Sequence, residues 1–363
     1  MLKVTDPERV NPDGEEEAMP LPTDSKVIYL GGLFLLASAA ALYVAAEIVW
    51  PLVFAFILSL LFKPVQRLFA RIHVPKVIST LLIVLALLGL VVGLGTAISR
   101  PASTWAAKLP DGIPRLVERL RFLEGPLGTL QNFWHQIETF AGWQEAASSS
   151  VGTALLGHLF SGTRSFTSGF FTTLLFLFFL LVAGEVFLQR LVEIMPRFSS
   201  KRQVVEISQQ IETDISAYLV TITGMNAAVG IATAAVMWLT GVGDPILWGT
   251  IAFLLNFVPI IGPLIGVVVF TLAGALVAES IWGALIPPAL YLAIHLVEGE
   301  AVTPILLAKR FTLNPVLVIV SLVFWFWMWG APGAILSVPM LAVTKIVCDR
   351  VRPLAAFGHF LEG

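Results

Sequence analysis

Three ionisable side chains, His295, Glu298 and Glu300, end an apolar run of this chain and stand just ahead of Thr303-Pro304. A carboxylate inside a membrane helix costs about 2.5–3.5 kcal/mol on insertion scales, so its presence points to a proton, a cation or a polar solute as its partner. His295 lies one helical turn before Glu298 and can pair with it. Glu298 and Glu300 diverge on an intact helix, but a bend at Gly299 ahead of Pro304 would let them share a proton or a cation. The competing reading is a solvated polar cluster at a helix end. A histidine and a carboxylate can also ligate a metal, though two groups make a weak site, and no metal or other cofactor is expected.

Such a site needs a backbone that opens beside it, and the stretch Trp248–Pro304 supplies a candidate. Its centre is Asn256-Phe257-Val258-Pro259-Ile260-Ile261-Gly262-Pro263-Leu264-Ile265-Gly266. Proline removes a backbone donor and glycine weakens a helix, so a continuous helix is not expected there. Irregular backbone at membrane depth survives only where protein buries it or water reaches it. Asn256 is either a backbone-satisfying residue at the break or a solute contact, while Pro259, Gly262 and Pro263 set the shape. Two arrangements of residues 246–278 fit: one long kinked crossing, or a re-entrant pair that dips and returns. Pro287-Pro288 interrupts the next apolar run, Ile281–Val297. The run 316–347 is broken again by Gly330-Ala331-Pro332-Gly333 and Pro339. Paired interrupted segments of this kind are a feature of secondary transporters.

Composition supports the membrane setting. Hydrophobic residues make up 57% of the chain and charged residues 13%, about half the charged share of a soluble domain. Several apolar stretches approach the roughly 20 residues of a membrane helix, and strand-like alternation is absent. The expectation is an all-α, polytopic membrane protein. No Lys or Arg occurs between Arg202 and Lys309, where Asp244, Glu279, Glu298 and Glu300 remain. The single cysteine, Cys348, excludes an internal disulfide and a multi-cysteine metal site. There is no His-Glu-x-x-His helix, Gly-x-Ser-x-Gly elbow or Walker loop, so an enzyme is not expected, and an ion or solute gradient is left as the energy source.

Along the chain, residues 1–26 read as a disordered acidic cytoplasmic tail, and residues 27–99 as transmembrane helices 1–3. Within these, Glu47 and Trp50-Pro51 form a tight connection, Lys63, Arg67, Arg71 and Lys76 form a cytoplasmic loop, and Gly89, Gly93 and Gly95 give a smooth packing face. Residues 100–164 read as an extracytoplasmic insertion of two amphipathic helices, with His135 and His158 solvated. Residues 165–184 form helix 4, 185–218 an amphipathic cytoplasmic connector, 219–348 the transport core and 349–363 a cytoplasmic tail. Asn226 and Trp238 in the fifth span require polar partners where buried.

These residues resemble the autoinducer-2 exporter family of bacterial membrane proteins, the PerM-like permeases. The likeness rests on Asn256-Phe257-Val258-Pro259 with Ile260-Ile261-Gly262-Pro263, on Glu298-Gly299 ahead of Val302-Thr303-Pro304, on Leu313-Asn314-Pro315 and on Gly330–Pro339. The family usually has Glu-x-Asn where this chain has Glu298-Gly299-Glu300, and often a histidine in place of Asn314. The resemblance implies about eight transmembrane helices in a homo-oligomer, a pentamer in expectation. Multi-pass insertion in the inner membrane is expected, and the positive-inside rule applied to Lys63, Arg67, Arg71 and Lys76 and to Lys345, Arg350 and Arg352 puts both termini in the cytoplasm. The resemblance also implies export of a small polar signalling solute or exchange of Na+ or Li+ for H+, with the bilayer and that solute or ion as partners and no nucleic acid. A membrane scaffold that recruits partners through its insertion is a further reading.

Overall fold

The computed structural model describes residues 25–119, 169–184, 193, 198–303, 305, 313–350 and 355–361. It is all-α, and Leu313 makes the sole β-bridge pairing among the described residues. Two compact units divide at Ala45. The first contains α1 (Ser25–Val44), an apolar helix with most of its large side chains exposed.

The second unit begins with α2 (Ala46–Arg71), which runs unbroken through Pro51 and Pro64. The helix therefore contains the residues expected to form a tight connection at 47–51, and Lys63, Arg67 and Arg71 lie on its last turns rather than on a loop. Next, α3 (Lys76–Arg119) continues past Ser99 and through Pro101, Pro110 and Pro114, so the first twenty residues expected as insertion prolong the third span. The expected amphipathic helices from 120 onward, with His135 and His158, lie outside the described residues. Gly89, Gly93 and Gly95 receive no neighbour: nothing described comes within 4 Å of a Cβ built there. Helix α4 spans Gly169–Gly184. Leu177 and Leu181 on α4 meet Ala55 of α2 and Ile83 of α3 in a buried cluster. Beside it, the Gln66 amide donates to Thr80 Oγ1 and the Leu181 carbonyl, both at 3.1 Å.

Helix α5 (Phe198–Leu239) joins the second half of the expected connector to the fifth span without a break. After a turn with positive φ at Gly241, Gly243 and Asp244, the chain doubles back as α6 (Pro245–Leu255). It turns again into α7 (Ile261–Val277), followed by α8 (Ile281–Val297). Helix α8 passes through Pro287 and Pro288 and is not interrupted there, contrary to the sequence expectation. A π-helical turn, Glu298–Val302, extends it. The last elements are α9 (Pro315–Trp329), α10 (Ala331–Arg350), continuous through Pro339, and α11 (Ala355–Phe360).

Among the described residues, five helical stretches are long and apolar enough to cross a bilayer: Ala46–Arg71, Lys76–Lys108, Val205–Leu239, Ile281–Val302 and Ala331–Arg350. Gly169–Gly184, the two arms α6 and α7, and α9 are shorter apolar helices. With one polar end on α5, where Glu212 binds Lys63 and Arg67 of α2, this is a polytopic helical membrane protein.

Candidate functional site

The stretch 246–278 is an antiparallel hairpin. Trp248 of α6 faces Phe270 of α7, with ring centroids 5.9 Å apart, while Leu255 abuts Gly262 at the other end. At about 1.5 Å per residue, the eleven residues of α6 rise roughly 16 Å, half of a hydrocarbon core of about 30 Å. Of the two arrangements open from sequence, the stretch forms a helical hairpin and not one long kinked rod.

The tip shows why Pro and Gly stand there. Asn256 caps α6, its N–H reaching the Ala252 carbonyl at 3.0 Å. Ile260 takes φ 63° and ψ −59°, and the Ile261 N–H bonds the Pro259 carbonyl at 2.6 Å, a three-residue γ-turn that strains a β-branched residue. A Cβ on Gly262 would collide with the Leu255 carbonyl oxygen, so only glycine lets the returning arm pass. Pro263 sits in the first turn of α7, where its missing N–H costs nothing. The Asn256 side chain donates to Asn226 Oδ1 of α5 at 2.9 Å, which joins the tip to a residue only 2% exposed. Trp238, by contrast, is exposed and needs no buried partner.

Helix α8 then runs antiparallel to α7, with Gly274 against Ala284 and Gly266 against Tyr291. This register brings the end of α8 level with the hairpin tip, and α5 packs against both α8 and the π-turn. At that level His295 Nδ1 lies 3.8 Å from Glu298 Oε2, and Thr303 Oγ1 donates to Glu298 Oε1 at 3.0 Å. The π-turn makes the second contact possible. One extra residue in the turn lets the Thr303 N–H reach the Glu298 carbonyl, and the hydroxyl follows it onto the same residue's carboxylate.

Glu300 does not join them. It is exposed on the π-turn, with no hydrogen bond or ion pair among the described residues, so the two carboxylates share nothing. Asn314 caps α9 by accepting from the Val316 N–H at 2.9 Å, and α9 packs against α10 and α2 rather than α8. Pro304 lies outside the described residues. The structure thus joins His295, Glu298 and Thr303 directly, sets Asn256, Pro259, Gly262 and Pro263 at one tip, and leaves Glu300 and Asn314 apart.

One polar contact was missed from sequence. Asp244, ahead of α6, accepts from Trp105 Nε1 of α3 at 2.9 Å. From that tryptophan a ladder of rings leads down the interior: Trp105 to Trp248 at 4.9 Å, Trp248 to Phe270, Phe270 to Tyr291 at 4.5 Å, and Tyr291 to His295 at 4.5 Å. Asp244-Pro245 signals a helix start, but nothing local announces a partner 139 residues away.

Residues 33–352 match the family model described as AI-2E family transporter. The chain belongs to that family. It is 27% identical over 328 residues to the AI-2 transport protein TqsA of Escherichia coli (strain K12), covering 89% of this chain and 91% of that protein. It is 26% identical to the putative transport protein YhhT of the same organism, over 86% and 87% of the two chains. To the putative transport protein YueF of Bacillus subtilis (strain 168) it is 24% identical, over 82% of each. As a member of a transporter family with several membrane-length apolar helices, the chain is a multi-pass membrane protein concerned with transport.

Proposed function

We infer that this protein is a secondary exporter of a small polar solute of the autoinducer-2 kind. The observation that carries the reading is Glu298, a carboxylate in an apolar helix, held by His295 and Thr303 at a π-turn level with the tip of a hairpin whose first arm is half-length. An intramembrane acid with named partners is a functional site by default, and non-helical backbone at that depth marks a pathway. The export of autoinducer-2 is taken from the relative's name and its direction from the family resemblance; the solute's smallness and polarity suit a Glu298–Thr303 and Asn256–Asn226 lining. Glu300, exposed beside the π-turn, is assigned to solute or cation entry, and Asn314 to holding α9.

A second reading, exchange of Na+ or Li+ for H+, is favoured by the His295–Glu298 pair, which can exchange a proton for a cation. The setting inferred for both is the inner membrane, with the Lys63, Arg67 and Arg71 end and both termini in the cytoplasm, and a homo-oligomer of about five copies, as the family resemblance implies. In proteoliposomes, Glu298→Gln should reduce efflux of autoinducer-2 about tenfold or more. Unchanged flux with unchanged pH dependence rejects the assignment. Sodium-driven proton movement in vesicles without organic solute selects the second reading.

A further inference from the structure

Five buried side-chain atoms have no hydrogen-bond partner among the described residues: Asn226 Nδ2 and Thr233 Oγ1 on α5, Trp248 Nε1 on α6, and Tyr291 OH and His295 Nε2 on α8. All five lie in the group α5–α8. Elsewhere, buried Ser59, Gln66, Ser79, Thr80, Thr173, Ser337 and Lys345 are each hydrogen-bonded. Buried polar groups in proteins are nearly always paired, with ordered water supplying what protein does not. Five orphans confined to one interior mark a place where water is the partner.

Their positions along the helices and the ring ladder set them in order, a candidate file. Asn226 and Thr233 are two turns apart on one face of α5, and Tyr291 and His295 one turn apart on one face of α8. Trp248 continues the line toward Asp244, which by the hairpin register lies level with Gly274 and Ala284. The fifteen residues of α8 and its extension from Ala284 to Glu298 rise about 21 Å, most of a hydrocarbon core. An acid stands at each end, Asp244 and Glu298. Between them the helices carry no other ionisable group except Tyr291 and His295: α6, α7 and residues 219–239 of α5 contain no Asp, Glu, Lys, Arg or His. Around the Asp244 end, α3 contributes Arg100 and Lys108, the latter 5.0 Å over the Trp105 ring. The file is narrow. Tyr291 OH fills the space a Cβ on Gly266 would occupy, and the rings touch at 4.5–5.9 Å, which leaves no room for an organic solute.

We propose that the interior of α5–α8 holds a single file of water that conducts protons between Asp244 and Glu298, meeting the solute's route only at the Glu298 and Asn226 end. His295 couples the file to Glu298. Its Nε2 faces the unpartnered interior and its Nδ1 faces the carboxylate. Nε2 accepts a proton from the file as Nδ1 releases its own to Glu298; Glu298 passes that proton to water at the partly exposed π-turn, and a flip of the imidazole ring restores its first tautomer. No proton is created or lost. Trp105 closes the far end by donating its indole N–H to Asp244.

The file does not rest on the solute reading, and the test separates the two. Hydroxyl radicals generated by X-ray radiolysis label side chains beside bound water even where they are buried. In the purified full-length protein, Tyr291 should be labelled well above Tyr218, which is buried to a similar degree and has the same intrinsic reactivity. Equal labelling of the two tyrosines overturns the proposal. In proteoliposomes with a trapped pH dye and a potassium-valinomycin potential, Tyr291→Phe and Trp248→Phe should slow proton entry about tenfold, while Ser321→Ala, outside this interior, leaves it unchanged. Proton entry unaltered in a folded Tyr291→Phe, or no faster in wild type than in protein-free vesicles, also overturns it. Solute efflux measured in parallel judges the transport reading alone.

Discussion

The two helical hairpins, α6–α7 and α9–α10, are built alike and used differently. Each starts with a polar residue and proline, Asp244-Pro245 or Asn314-Pro315, and each turns through a positive φ, at Ile260 or Gly330. Each then carries a glycine, Gly262 or Gly333, where a Cβ would strike a carbonyl oxygen of the first arm, Leu255 or Trp325. What surrounds them differs. The second hairpin pairs its buried polar groups within itself: Ser321 donates to the Ser337 carbonyl at 3.0 Å, Ser337 to Ala334, and Lys345 binds Asp349 at 2.9 Å. The first packs against the helix bearing Tyr291, His295 and Glu298, and polar atoms between them stay unpaired. A broken helix is therefore not a site in itself. The chemistry comes from the helix packed beside it.

The sharpest way to break this comparison is to substitute both turn glycines. Gly262→Ala and Gly333→Ala each force a methyl into backbone rather than a yielding side-chain end, so each should cost about 3 kcal/mol or more. Thermal unfolding of the purified variants should show comparable losses. A tolerant Gly262 beside an intolerant Gly333 would show that the first tip opens freely, and the shared design would fail.

Next comes a contrast between function and stability. Asn256→Ala removes the tip's bond to Asn226 and should reduce solute efflux about tenfold with a modest change in melting temperature. Asn314→Ala removes a helix cap and should cost about 1 kcal/mol of stability with efflux retained. Reversed outcomes would assign the pathway to the second hairpin.

Both asparagines were singled out from sequence, and their different fates show where such reading stops. Local chemistry was legible. The break at 256–263, the helix start at Asn314-Pro315 and the His295–Glu298 pairing all follow from residues within one turn of each other. Prolines misled where tertiary packing held a helix through them, at Pro51 and at Pro287-Pro288. Gly89, Gly93 and Gly95 promised a packing face that no described neighbour uses, while close approach occurs at Gly230, where an added Cβ would come within 2.8 Å of the Gly249 carbonyl oxygen. The Trp105–Asp244 contact and the ring ladder depend on four separate helices meeting, and the π-turn at Glu298 depends on one inserted residue. Neither leaves a periodic trace in sequence.

The smallest expected effect concerns how the hairpins are anchored. The second is tied to α5 by charge: Arg350 of α10 binds Asp214, alongside the Glu212 pairs with Lys63 at 3.3 Å and Arg67 at 2.7 Å that hold α2. The first has no charge to use, because α6 and α7 contain none, and it is held by Gly230–Gly249 contact, the Asn256–Asn226 bond and apolar packing. Arg67 is 54% exposed in its side chain, so solvent screens its pair, and exposed pairs contribute at most about 1 kcal/mol. Glu212→Gln should therefore lower the melting temperature by only a few degrees at about 0.05 M salt. The difference should vanish near 0.5 M, where the Debye length falls to a few ångströms. Asn256→Ala, acting through uncharged contacts, should show the same deficit at both salts. A Glu212→Gln deficit that persists at high salt would mean that this pair is shielded from solvent and that charge anchors the bundle more deeply than its exposure indicates.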